Sequence, residues 1–548
     1  MSIAEEKLCL KASFFVIPSN YSLKKPTIMA IRMEKDDPQD QRRPSNPNRG
    51  RSGGGSNIGR LLPFILMFVF RKPKLLIPIL IIGAVWYFFL GGNQMFSSGV
   101  DTAPEGDLSE FSFGATLNEE QYDKAEVFEP LAYSSSQNRL PSQVSLIQYA
   151  PQRAHQGRQG SCVGWASSYA ARTILEAQAT GKPANQVRFS PSFLYNQIAL
   201  PNCQGAYMRD AMETMHEVGL LPFSEYPYDE RSCSNLPSTA ERRQASQFRI
   251  KGYNRLTKGA NNYSPDMMGI KQHLAQGSPT VIGMQVGGTF MHQMRGKDVW
   301  QPTSRDKSLY GFSGHAMCVI GYDDTKYGGA FQIMNSWGES WGNNGIAWVR
   351  YPDFQYFVKE AYGLYPMGKS EKYDPNKLAV KFGLVDNATQ NLIPLYDTGN
   401  RVFRSRSPLQ KGQKFKIAVT NSVECYIYVF GEEANGSSSV LFPYTSKHSP
   451  YCGITGTRLF PKDYSMTPDE VGNRDRIAVI VSKEELNFEE VNRLINNSNQ
   501  SSYAAKVQDV LQSILIPGVQ FEVNEAVAFS TDTKGKQAVA TVIEIDKR

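Results

Sequence analysis

Three short stretches hold the residues best suited to chemistry. Residues 156–166 read QGRQGSCVGWA, and Cys162 opens a helix candidate over residues 162–178. That candidate is rich in Ala and carries an apolar stripe at Val163, Ala166, Tyr169, Ala170, Ile174 and Leu175. In a first helical turn, unpaired amide N–H groups and the helix dipole favour the thiolate, the nucleophilic form of cysteine. Gly314-His315-Ala316 leads into a strand candidate, and residues 332–345 (QIMNSWGESWGNNG) end a strand at Asn335 before two Trp-Gly pairs. A single cysteine is most often inert core, and a single histidine is usually structural. The order Cys, His, Asn with these glycines and tryptophans is far more specific, and it points to nucleophilic catalysis through a thiol.

The rest of the chain must position these residues. It has 548 residues, enough for two to four domains. Apolar residues make up 41% and charged residues 20%, and the mean hydropathy of −0.39 excludes a polytopic membrane protein but not a single span. A net charge of +7 is too dilute for a nucleic-acid footprint, and no basic-aromatic interleaving or Gly-rich phosphate loop is present. Seven cysteines exclude a disulfide-rich scaffold, and the odd count leaves at least one thiol unpaired. His155, His216, His273, His292 and His448 form no metal-ligand pattern, so neither a metal nor a cofactor is expected.

Composition divides the chain. Residues 1–60 lack apolar periodicity, and the stretch 36–57 is Pro, Gly, Ser, Asn and Arg with almost nothing to bury, so a disordered basic segment is expected there. Residues 61–92 are expected to be a membrane anchor. Their core is the uncharged run LLIPILIIGAVWYFFL over 75–90, which with Gly91 and Gly92 reaches the lower limit for a spanning helix and contacts lipid over 75–92. Arg42, Arg43, Arg49, Arg51, Arg60, Arg71, Lys72 and Lys74 precede it, and the next basic residue after it is Lys124. The positive-inside rule then puts the N-terminus in the cytoplasm and the remainder in the periplasm or outside the cell. Residues 93–138 are polar and acidic and read as a spacer; 139–368 have a globular texture; 369–377 form a charged linker. Residues 378–548 alternate in period two, with strands over 378–385, 415–419, 425–430, 477–481 and 526–545 and a hairpin turn near Lys534-Gly535-Lys536. Two short helices are expected at 488–495 and 503–515, and a β-sandwich-like module follows from this pattern. Tyr426, Tyr428 and Phe430 share one face and read as core.

Over residues 138–367 the chain resembles the papain-like cysteine peptidases. The family's Gln-Gly-x-Cys-Gly-Ser-Cys-Trp-Ala signature is met by Gln156-Gly157-Arg158-Gln159-Gly160-Ser161-Cys162-Val163-Gly164-Trp165-Ala166. Its histidine block matches Gly314-His315-Ala316-Met317, and its Asn-Ser-Trp-Gly-x-x-Trp-Gly-x-x-Gly block matches 335–345 at every fixed position. Leu140-Pro141 and Tyr226-Pro227-Tyr228 fit two further family positions. The resemblance implies an α+β, two-lobed papain-like fold over these residues, with a helical lobe and a β-barrel lobe; the transmembrane helix before it and the β-module after it are read from composition and alternation. It also implies roles. Cys162 is the nucleophile, and His315 holds it in an ion pair and then protonates the leaving amine. Asn335 orients the imidazole, Trp337 shields that contact, and Gln156 donates to the oxyanion.

Departures from the family pattern matter. Gln159 stands where the family has a half-cystine, and the inserted residue at Val163-Gly164-Trp165 is similar to bacterial members. Cys203-Gln204-Gly205-Ala206 replaces Cys-x-Gly-Gly, so Gly205, Ala206 and Gly314 line the substrate path, with Ala206 narrowing the second subsite. The resemblance also pairs Cys203 with Cys233, and no long helical prosegment is visible between 93 and 138. Residues 424–430 and 441–443 are similar to a β-rich bacterial module of unknown function attached to envelope enzymes, a candidate surface for an envelope partner. The function implied is hydrolysis of protein or peptide substrates through a thioester acyl-enzyme. Two alternatives stay open: a transpeptidase that passes the acyl group to an amine, and a silent envelope-binding protein.

Overall fold

The computed structural model describes residues 31–36, 111–132, 138–367 and 374–548. The apolar run at 75–90 lies outside these; among the described residues no helix is long and apolar enough to cross a membrane.

The first domain sets helices against one sheet. The Cys162 helix runs as Cys162–Gly164, Trp165–Arg172 and Thr173–Thr180, the middle part as a π-helix. An extra residue in a helix is absorbed by such a wider turn, which accounts for the insertion at Val163-Gly164. Pro191–Ile198 packs beside it, and a Cβ on Gly164 would lie 2.8 Å from the Pro191 carbonyl oxygen. Opposite stands an eight-stranded sheet in the order Tyr253–Arg255, Val358–Leu364, Thr280–Val286, Ser313–Asp323, Ala330–Met334, Ile346–Arg350, Val299–Trp300, with Gln143–Ser145 also on Ser313–Asp323. Its end strands do not pair with each other among the described residues, so the sheet is open where a barrel was expected. Helix and sheet bury one continuous apolar cluster between them.

The second domain has an eight-stranded and a seven-stranded sheet that close on one apolar core, with Phe382, Ile417 and Val527 from one and Ile427, Val479 and Ile543 from the other. Helices Phe488–Asn497 and Tyr503–Leu511 cover the outer face of the seven-stranded sheet, where they bury Tyr428 and Phe430. The strands flanking Lys534-Gly535-Lys536 do not form the expected hairpin. Ala526–Asp532 pairs with Lys377–Asp386 in one sheet and Ala538–Asp546 with Arg474–Ser482 in the other, so the turn carries the chain between sheets. Alternation identifies strands but is blind to which sheet each one joins.

Parts of the stretch expected to be disordered and of the stretch read as a spacer pack on the two domains. Within 1–60, Ile31–Lys35 pairs antiparallel with Tyr464–Pro468 as an edge strand of the second domain. Met33 packs on its core, and the Asp36 carboxylate meets the Lys416 ammonium at 2.7 Å, both largely buried. While that pairing holds, residues 31–36 and the second domain share one side of any membrane that the intervening chain enters. Within the spacer, residues 111–132 wedge between the two domains. Helix Glu119–Asp123 sits on the first, and the Asp123 carboxylate pairs with both Arg255 and Lys447. Val127 N–H donates to the Lys447 carbonyl, and Leu131 exchanges hydrogen bonds with the Gln272 side chain. Beneath them the buried Arg458 guanidinium donates to the Glu129 carbonyl, Asn421 Oδ1 and the Ile454 carbonyl. Composition could not reveal either docking, because each depends on a partner hundreds of residues away.

Arg458→Ala strips three buried acceptors of their donor, a change that costs about 3 kcal/mol. Chemical denaturation should show the loss, together with faster proteolysis within 111–138; an unchanged midpoint contradicts the role given to this side chain.

Candidate active site

The helix and the sheet meet at the chemistry. Cys162 starts its helix, His315 lies on Ser313–Asp323, and Asn335 follows Ala330–Met334. Cys162 Sγ accepts the Ala316 N–H at 3.3 Å, which ties the thiol to the strand bearing the histidine. His315 Nε2 lies 2.7 Å from Asn335 Oδ1, and Nδ1 is buried without a hydrogen-bond partner. The Trp337 ring stacks on the imidazole with centroids 4.4 Å apart and keeps water from the His–Asn contact. The Gln156 side chain is fixed from behind, its Oε1 accepting the Ser336 hydroxyl at 2.7 Å, which turns its amide N–H groups into the cleft. Gly205, Ala206 and Gly314 lie along the same cleft, and Cys203 and Cys233 are bonded, with their Cα atoms 5.8 Å apart. Cys162, His315, Asn335, Trp337, Gln156, Ala206 and Gly314 thus surround one site. No cluster of His, Cys, Asp and Glu able to hold a metal exists among the described residues.

The cleft is occupied by the chain itself. Residues 111–117 (FSFGATL) lie along it. Phe111 stacks on Trp337 at 4.9 Å, and the Ser112 carbonyl accepts Trp337 Nε1–H at 3.0 Å. Gln156 Nε2 donates to the Ser112 and Phe113 carbonyls at 3.2 and 3.4 Å, so the expected oxyanion donor is already engaged. Ala115 N–H donates to the Gly314 carbonyl at 3.1 Å. Ala206 N–H donates to the Gly114 carbonyl and its own carbonyl accepts Thr116 N–H, a parallel bridge centred on Ala115. The contact is backbone to backbone. At Gly114, with φ +151°, a Cβ would stand 2.0 Å from the Gly160 carbonyl oxygen, so only glycine fits.

This covering sets the electrostatics. Cys162 and His315 are fully buried. Loss of water pushes the thiol up to about 12 against the opposing effect of backbone N–H groups, chiefly that of Ala316. The same loss brings His315 down to about 4, with the Asn335 contact opposing. Burial thus disfavours the charged form of both groups while the segment is in place. Sequence reasoning overlooked residues 111–117. Their signal was present, two phenylalanines, a glycine and a leucine inside an otherwise polar, acidic stretch.

Comparison with known proteins gives a consistent picture. The profile described as "Papain family cysteine protease" matches residues 144–360, and one described as "Domain of unknown function (DUF4384)" matches 408–485. An uncharacterized peptidase C1-like protein of Acanthamoeba polyphaga mimivirus is 30% identical over 200 residues, 35% of this chain and 61% of the relative. Cathepsin K of Mus musculus is 28% identical over 219 residues, 38% of this chain and 60% of the relative. The chain thus spans about three-fifths of the length of these curated relatives. Among solved structures, xylellain, a cysteine protease from Xylella fastidiosa, aligns at 23% identity with a TM-score of 0.38, over 47% of this chain and 96% of that one.

A methyl group at residue 114 cannot be accommodated without lifting the segment. Gly114→Ala should speed alkylation of Cys162 by iodoacetamide in the folded chain by about tenfold or more, equivalent to about 1.4 kcal/mol of lost closure. An unchanged rate means that the segment does not control access.

Proposed function

We propose, from a papain-family cysteine peptidase domain at residues 144–360 followed by a DUF4384 domain, that the chain is a thiol endopeptidase held closed by its own residues 111–117. The observation that carries the reading is the convergence of Cys162, His315, Asn335 and Gln156 on one cleft whose floor pairs with an extended backbone.

Chemistry begins when the segment lifts. Water and substrate then reach the pair, the thiol proton passes to His315 Nδ1, and the imidazolium is held by Asn335 through Nε2–H. The thiolate attacks the peptide carbonyl. The oxyanion takes the Gln156 amide and the Cys162 backbone N–H, and the first of these is held by the Ser112 and Phe113 carbonyls in the closed form. His315 protonates the leaving amine, and the resulting thioester is hydrolysed by a water that returns its proton through the same imidazole. The segment itself escapes cleavage because it lies in the reverse direction. Its parallel bridge to Ala206 carries it from Trp337 towards Met208, whereas a substrate donating to and accepting from Ala206 through one residue pairs antiparallel.

Membrane attachment through residues 75–90 belongs to the same reading, with the catalytic domain on the oxidising side. The uncharged run and the basic residues before it support this, as does the Cys203–Cys233 bond. A single crossing parts residues 31–36 from Tyr464–Pro468 and leaves the buried Lys416 at an open sheet edge. Such a crossing predicts that protease sites introduced at 31–36 are protected in intact cells while sites in the second domain are cut. Equal cutting of both rules out the single crossing.

Cys162→Ala should abolish peptide hydrolysis, and Gln156→Ala should lower kcat/KM by about 10²–10³-fold. Retention of hydrolysis by the Cys162 variant defeats the proposal.

Closure should also depend on pH. Burial raises the carboxyls of Glu129 and Glu360 from 4.5 to about 7, and that of Glu126 upward, all within or beneath the wedged segment. Lys462 and Arg458 oppose the rise at Glu129, the Asn118 N–H at Glu360 and Ser449 at Glu126. A raised carboxyl supports the closed form fully below its ordinary value and loses that support as pH climbs through the raised one. Alkylation of Cys162, normalised to a free small thiol at each pH, should therefore accelerate between pH 4.5 and about 7. A flat or falling ratio contradicts this.

A further inference from the structure

Two neighbouring strands of the seven-stranded sheet point apolar side chains at the core of the second domain. Ile477, Val479 and Val481 come from Arg474–Ser482, and Val539, Ile543 and Ile545 from Ala538–Asp546. Followed to one end of the sheet, the same period-two alternation reaches Asp475 on the first strand and Lys547 just past the second. Asp475 lies opposite Ile545, and Lys547 N–H donates to the Asn473 carbonyl at 2.9 Å, so the two are diagonal neighbours across the ladder. A cation and an anion thus occupy positions where the pattern asks for apolar residues.

The side chains of Lys547 and Asp475 are fully buried, and that of Asp469, which follows Tyr464–Pro468 of the opposite sheet, is nearly so. Lys547 Nζ lies 2.7 Å from Asp475 Oδ1 and 2.7 Å from Asp469 Oδ1, and it donates to the Val471 carbonyl at 2.6 Å. The other oxygen of each carboxylate, Asp469 Oδ2 and Asp475 Oδ2, is buried without a hydrogen-bond partner. A buried ion pair that serves stability needs its remaining lone pairs satisfied. The pair formed by Lys416 and Asp36 meets that condition, since the ammonium also donates to three backbone carbonyls and Asp36 Oδ1 accepts the Ser465 hydroxyl. The pair at Lys547 does not, and loss of one Asp475 oxygen as water would relieve it.

We propose that Lys547 and Asp475 condense to an intramolecular isopeptide bond, with Asp469 carrying a proton between them. One proton passes along the Nζ–Oδ1 hydrogen bond from the ammonium to the Asp475 carboxylate, which leaves an amine facing a carboxylic acid. The amine lone pair adds to Asp475 Cγ, and the C–N bond forms. Asp469 takes a second proton from the nitrogen and delivers it to the already protonated oxygen; the C–O bond breaks and water leaves. The third proton stays on the amide nitrogen. Ammonium and carboxylate thus become one amide and one water, with no oxidant, cofactor or outside reactant.

The surroundings favour this course. Contact between the reacting groups before reaction replaces a bimolecular encounter. Burial pushes the Asp475 carboxyl up to about 6, against the Lys547 hydrogen bond, and so brings its acid form within reach. At Lys547 burial acts the other way, but the two carboxylates outweigh it and raise the ammonium, so the first proton transfer is the step the dry site has to drive. The product holds the end of the last strand covalently to its neighbour, and the proposal is independent of the peptidase reading.

Mass spectrometry of the full chain, reduced and denatured, tests it. A proteolytic map should contain a branched product in which the Asp475 and Lys547 peptides are joined and one water is missing. Lys547→Arg keeps a cation and should remove that product. Asp469→Asn should slow its formation by about 10²-fold or more, read as the unlinked fraction in freshly made chain. Unlinked Asp475 and Lys547 peptides as the sole products of the unsubstituted chain overturn the proposal whether or not the variants fold. A water loss that survives Lys547→Arg overturns it as well, and unchanged linkage in Asp469→Asn overturns the role given to Asp469.

Discussion

The closed state depends on one contact, the approach of the Gly114 backbone to the backbones of Gly160, Ala206 and Gly314. Close approach needs glycine on the incoming chain, and it satisfies polar groups that a bare cleft would leave to water. Everything distinctive about the site follows. The Gln156 amide is engaged, the thiol and imidazole are buried, and the His315–Asn335 contact is sealed beneath Trp337 and Phe111. Cys162, His315 and Gln156 lie together, and residues 111–117 cover them.

The same strand of chain joins the two domains. Downstream of the cleft it forms a short helix, pairs Asp123 with one cation from each domain, and ends over the Arg458 guanidinium. Surface ion pairs are weak, but Arg255 is fully buried, and a buried charge left unpaired is strongly destabilising. The segment in the cleft and the second domain are thus joined by one continuous stretch of described chain. The domain whose residues 408–485 match the DUF4384 profile contacts one end of this strap through Lys447 and Arg458. Cysteine usage fits the division. Cys162 and Cys318 stay free and buried in the first domain, and Cys425 and Cys452 in the second, while Cys203 and Cys233 are bonded near the cleft.

Local signals carried much of this. Cys162, His315 and Asn335 were legible because each sits in a stretch with rigid requirements: a helix start, a strand entering from a glycine, a turn built on Trp-Gly pairs. The helices at 488–497 and 503–511 were legible from their apolar faces, and the strands around 378, 425 and 477 from alternation. What escaped depends on distant partners. Residues 31–36 become a strand only because Tyr464–Pro468 offers an edge and Lys416 a buried cation. Residues 111–117 have no periodicity to detect, since their partners are the glycines of the cleft. Two effects oppose each other at Cys162: helix position favours a thiolate, and burial raises the thiol.

Hydrogen exchange of the Ala115 and Thr116 amides in the full chain tests the central claim most directly. If the segment occupies the cleft as a bonded element, these amides exchange far more slowly than an unstructured peptide, and lose that protection when a covalent epoxide takes Cys162. Exchange at the rate of an unstructured peptide in the unreacted chain contradicts the account.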